Sequence, residues 1–144
     1  MRVIRLSVAA VAGLLVGVTG VAAMAPAPAP LRPLSERDMR AVHGSGCEQS
    51  FDQGRGRLVY IVGNEVMIRT AAGRTVCPIT EAMFNAMAGN GGGRLSCGGL
   101  RLAIRSIGRS VGHQDSDSAS APATLTVTGR GRPWTVRGQW GTAC

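Results

Sequence analysis

The pattern of apolar and polar positions changes character twice along the chain. Residues 6–23 are apolar apart from Ser7, Thr19 and scattered glycines. Residues 34–45 take a helical period: Leu34, Met39 and Val42 share one face, Ser35 can cap the N-terminus, Glu36 and Asp38 sit in the first turn, and Gly44 suits the stop. Beyond Cys47 the period drops towards two. Residues 57–62 and 65–70 are strand-like runs around Gly63-Asn64, a two-residue hairpin signal.

Residues 75–77 open a third strand, which Pro78 ends, and Thr80 then caps a short helix that places Met83, Phe84 and Met87 on one face and stops at Gly89. Strands at 94–97 and 100–107 are separated by Gly98-Gly99. In the second, the apolar side chains hold even positions up to Ile104, so Arg101 and Arg105 share the solvent face. Residues 113–121 read as a polar Asp/Ser loop, and strands at 124–128 and 134–139 complete the count. The pattern predicts a mainly β fold with a minor α part, a small antiparallel sheet or barrel of six or seven strands with one short helix.

The apolar run at the start has the layout of an export signal. Arg2 and Arg5 precede it, and Val21-Ala22-Ala23 supplies small residues for signal peptidase. A signal peptide at 1–23 predicts handling by the Sec machinery and a periplasmic or secreted product. An uncleaved membrane anchor is the alternative, disfavoured because the run is rich in Gly and Ala. The Pro-Ala alternation within 24–33 reads as an extended spacer. Residues 34–45 resemble the double-glycine leaders of bacteriocin-type peptides. In those leaders a leucine-serine start, an acidic residue, spaced apolar residues and a Gly-Gly, Gly-Ala or Gly-Ser end guide a peptidase-transporter. Similar tails follow signal peptides in exported proteobacterial proteins. The resemblance implies a bacteriocin-like or toxin-like factor released after Gly44-Ser45. Such leaders normally begin a chain, whereas this one follows a signal segment, and an ordinary amphipathic helix is the favoured reading.

Composition sharpens the picture of the remaining domain, 46–144. Five aromatic residues (two Phe, two Trp, one Tyr) make a thin core that calls for covalent support. Cys47, Cys77, Cys97 and Cys144 allow three pairings; the favoured one is Cys77–Cys97, clamping the helix and its Gly-rich loop, with Cys47–Cys144 tying the domain ends. No two cysteines have zinc-knuckle spacing.

Candidate chemistry is sparse, and no catalytic residue, metal site or cofactor is assigned. His43 lies in the leader-like stretch, and His113 borders the polar loop, where solvation is its expected state. The run Asp115-Ser116-Asp117-Ser118 lacks the glycine and distal Glu of an EF-hand, and the Gly-rich loop at 89–94 follows a helix rather than preceding one. All 16 basic residues are Arg; from Gly46 onward eleven stand against six Asp and Glu, a net charge of +5. Gly54-Arg55-Gly56-Arg57 and Gly129-Arg130-Gly131-Arg132 echo one another ahead of strands, so Arg55, Arg57, Arg130 and Arg132 are the candidate anion-binding residues. The expected protein is an exported, non-enzymatic binder of anionic lipid, lipopolysaccharide or an acidic protein, with nucleic acid unexpected as a partner. An exported hydrolase ranks third.

Overall fold

Alternation of inward apolar and outward polar side chains is clearest in the strands from residue 94 onward, and a computed structural model shows how all the strands join. It describes residues 28–129 and 131–144; the signal segment expected at 1–23 and Arg130 lie outside the described residues. The strands are β1 (Glu48–Gln53), β2 (Gly56–Val62), β3 (Glu65–Thr70), β4 (Gly73–Pro78), β5 (Arg94–Cys97), β6 (Leu100–Ser106), β7 (Val111–His113), β8 (Ser118–Thr128) and β9 (Trp134–Ala143). The helices are α1 (Glu36–Met39) and α2 (Glu81–Gly89). The fold is mainly β, as expected, with nine strands rather than six or seven; α2 is the expected short helix of the β-rich domain, and α1 falls within the helical stretch expected at 34–45.

The unexpected strand β1 and the early start of β8 have physical reasons. β1 hides because its inward positions are Gln49 and Phe51, so apolar alternation never develops, although both are buried. The expected loop at 113–121 is a loop only to Asp117; β8 starts at Ser118 and runs through Pro122. Proline is tolerated there because β8 changes neighbours at that point, from β7 at Ser120 to β6 at Ala123. The Pro122 carbonyl accepts the Ile107 N–H at 2.8 Å. At the β2–β3 hairpin, Gly63 adopts φ +58°, the left-handed conformation its turn requires.

The strands form one antiparallel sheet in the order β4-β3-β2-β1-β9-β8-β6-β5, with β7 paired to β8. The sheet curls into a nearly closed barrel whose edge strands, β4 and β5, are joined by Cys77–Cys97 with a Cα–Cα distance of 5.5 Å. The two strands meet there without a ladder of hydrogen bonds, so the seam is covalent. The barrel thus has two four-strand halves, β1–β4 and β5-β6-β8-β9. They meet at this seam and at the β1–β9 ladder, where Cys47–Cys144 closes the pair beyond Glu48 and Ala143. Each disulfide staples one junction, and both pairings are those favoured from the sequence.

The interior is filled by Phe51, Val59, Ile61, Val66, Ile68, Leu102, Ile104, Leu125, Val127 and Trp140. At one end α2 inserts Met87, which is 2 % exposed. Burying such a side chain contributes about 1.5–3 kcal/mol. The Gln49 Nε2 donates to the Phe84 carbonyl at 2.7 Å and fastens this helix to β1. The segment before β1 packs on the first half: Leu31 lies in the core, the Arg32 N–H donates to the Arg69 carbonyl, and the Leu34 N–H donates to the Arg57 carbonyl. The packed body therefore begins earlier than residue 46. The helix expected within 34–45 is a single turn, capped by Ser35 and Asp38 in a reciprocal capping box. Among the described residues no helix is long and apolar enough to cross a membrane.

Candidate functional site

The two Gly-Arg motifs lie at the same end of the barrel, because the β1–β2 and β8–β9 hairpins turn there and β1 adjoins β9. They are staggered, however. β1 pairs with β9 only from Gln139 onward, so the β8–β9 hairpin, which starts pairing at Trp134 and Val127, extends further. Arg55 and Arg132 are exposed, and Arg130 lies outside the described residues.

Arg57 is committed locally. Its Nε donates to Asp52 Oδ1 at 2.9 Å, Nη1 lies 3.9 Å from Glu48 Oε1, and the guanidinium stands 5.2 Å from the Tyr60 ring centre. Burial works against its charge, but the bond to Asp52 and the fields of Asp52 and Glu48 prevail and raise its pKa. The Tyr60 hydroxyl donates to Glu48; burial, then that bond and the neighbouring negative charge, push the phenol up to about 12. This network walls a shallow polar groove of about 230 Å³ over Gly141, opposite His113 and Ser120. His113 is exposed, with Nε2 3.3 Å from Ser120 Oγ.

A second paired arginine, Arg69, also belongs to the first half. Its Nη1 donates to both carboxylate oxygens of Asp38, at 2.9 and 2.7 Å. The Ser35 backbone N–H contributes most to holding the Asp38 carboxyl below its usual range, against a burial cost, with the Ser35 hydroxyl and Arg69 adding to it.

The second half is different. Alternation turns Arg94, Arg101, Arg105 and Arg137 outward, and all four are exposed. Their registers make them one array. Arg94 faces Ala103, between Arg101 and Arg105 on the adjoining strand; Arg105 and Arg137 flank Thr124 from either side. Two strand spacings put the last two about 10 Å apart at Cα. Thr126, Thr128 and Thr135 fill the positions between, with Thr126 and Thr135 hydroxyls 3.0 Å apart. No Asp or Glu occurs in β5, β6, β8 or β9. Among the described residues none of these four guanidinium groups makes an ion pair.

Beside this array runs a groove of about 520 Å³. Arg94, Ser96, Arg101 and Thr128 line it together with the apolar Pro78, Ile79 and Met83. Arg101 and Arg105 are the outward pair expected from the sequence; strand register adds Arg94 and Arg137 to them. The alternation of polar with apolar residues in 94–97 and 134–137, where Arg94 and Arg137 hold polar positions, was the available signal. Compared with protein-family models, curated proteins and solved structures, the chain matches none.

Proposed function

We propose that this chain is an exported, non-enzymatic protein that binds an anionic component of the cell envelope through the outer face of β5, β6, β8 and β9. One observation carries the reading: four exposed guanidinium groups share a registered face that holds no carboxylate. Guanidinium groups stay protonated across the physiological range, so the face recognises charge rather than moving protons. Their forked donors suit phosphate and carboxylate oxygens, and threonine hydroxyls between them offer further donors. The two disulfides are compatible with maturation in an oxidising compartment outside the cytoplasm.

Vesicle flotation tests it. The oxidised protein is expected to float with phosphatidylglycerol-containing vesicles and not with phosphatidylcholine alone. Binding should fade as salt rises from about 0.05 to about 0.5 M, because exposed charges are screened over that range. Replacing Arg94, Arg101, Arg105 and Arg137 together by Gln should abolish flotation, whereas Arg57→Gln should preserve it. Flotation that persists in the fourfold variant, or that ignores salt, would refute the reading.

A further inference from the structure

The groove next to the Arg face offers more than an anion requires. Its far wall is apolar: Pro78, Ile79 and Met83, the last 37 % exposed and so an unfilled hydrophobic surface. Its floor is Ala103, directly opposite Arg94 in register, where the small side chain leaves the space open. The core residues Leu95 and Leu102 also reach the groove, which lies alongside the unladdered seam between β4 and β5. Two guanidinium groups, Arg94 and Arg101, from the adjacent strands β5 and β6, belong to its lining, and no carboxylate lines any part of it.

We propose that this groove binds a single-chain anionic amphiphile, a molecule with a phosphate or carboxylate head and an alkyl tail. The head sits between Arg94 and Arg101, and the tail lies over Ala103 against Ile79 and Met83. This rests on the anion-binding reading of the adjoining face and narrows its ligand. Charge complementarity selects the head: forked donors on two adjacent strands match two or three oxygens on one centre. The apolar wall selects the tail, because covering it removes hydrocarbon from water on both partners. The volume falls within the roughly 300–1,000 Å³ common to small-molecule sites. The aliphatic stems of the two arginines extend the apolar lining beneath their charged ends.

Calorimetric titration of the oxidised full-length protein with dodecyl phosphate and dodecanoate, each below its micelle threshold, tests the proposal and separates the two head groups. Inorganic phosphate and dodecyl maltoside serve as head-only and tail-only probes. At least one anionic dodecyl ligand should bind about tenfold or more tightly than either partial probe, since head and tail contacts act together. Arg94→Gln with Arg101→Gln should lower that affinity to the dodecyl maltoside level. Ala103→Leu, which fills the floor from an outward position on the sheet, should weaken the dodecyl ligand several-fold while leaving inorganic phosphate unchanged; unaltered circular dichroism would verify that both variants fold. Backbone NMR shifts should map to residues 78–83 and 94–103.

Distinct failures carry distinct meanings. Dodecyl phosphate and dodecanoate binding no more tightly than inorganic phosphate would overturn the amphiphile site yet leave the anion-binding face standing. Equal binding of dodecyl maltoside would mark the groove as a simple hydrophobic trap and also overturn it. Loss of vesicle flotation together with indifference to every phosphate ligand would overturn both readings.

Discussion

The two halves of the barrel share one sheet but differ in whether their strands tie arginines to carboxylates. In β1–β4, Arg57 is tied to Asp52 and Glu48, and Arg69 to Asp38. The segment from Leu31 to Gly44 packs onto this half; His43 donates its N–H to Glu65, and Gly44 sits so close to Val62 that a Cβ would strike its carbonyl. Val62 and Met67 are buried here although they face away from the interior by alternation. In β5-β6-β8-β9 the arginines face solvent and, among the described residues, none makes an ion pair. Two of the four arginines in the first half, Arg57 and Arg69, serve architecture, Arg55 and Arg74 being exposed, while the four on the face of the second half are all left available. A bare count of arginines erases that distinction; register and partnership restore it.

The largest perturbation separates the halves themselves. Replacing Cys47 and Cys144 by Ser removes a link across 97 residues, and replacing Cys77 and Cys97 removes one across 20. Loop entropy assigns these about 4–5 and about 3 kcal/mol of stability respectively, readable by urea unfolding. Hydrogen exchange should distinguish them. Loss of the Cys77–Cys97 link should deprotect β4 and β5, since no ladder joins them, while the β1–β9 junction keeps its hydrogen bonds.

A smaller effect is expected from the charge that docks the N-terminal segment. Asp38→Ala leaves Arg69 without its carboxylate and should cost about 2 kcal/mol, the scale of a lost charge-assisted hydrogen bond. Because folding lowers the Asp38 pKa, its contribution is fully present above the ordinary carboxylate range and is lost as pH falls below about 4. Stability measured against pH should therefore decline less steeply in Asp38→Asn than in the parent. An equal slope would show that Asp38 does not report the docking.

The chain holds a single tyrosine, so absorbance near 295 nm follows Tyr60 alone. Its titration is expected near pH 12 and should move partway towards 10 in Glu48→Gln, because burial persists after the acceptor charge is gone. The smallest effect belongs to the free half. Arg105→Gln or Arg137→Gln should change unfolding stability by no more than about 0.5 kcal/mol. A loss several times larger would mean that these side chains are structural, and the contrast between the halves would collapse.

Much of this architecture is legible in the chain itself, and the gaps follow from specific residues. β6 announces its outward arginines because Leu100, Leu102 and Ile104 supply hydrophobic contrast on the other face. The start of β8, Ser-Ala-Ser-Ala-Pro, supplies none: its small side chains carry little contrast and its proline reads as a breaker. The cysteines revealed which elements meet, but not that their meeting closes a barrel. The groove was illegible for the same reason. Its walls come from residues 78–83 and 94–103, which approach one another only once the outermost strands are brought together.

That closure also determines how the protein must be handled before it is finished. With thiols in place of the Cys77–Cys97 bridge, nothing but side-chain packing would hold the rim strands together, and each could present naked amide and carbonyl groups to another molecule. Oxidation of this pair is accordingly a safeguard against clumping as well as a brace, and reducing conditions should favour oligomers built rim to rim.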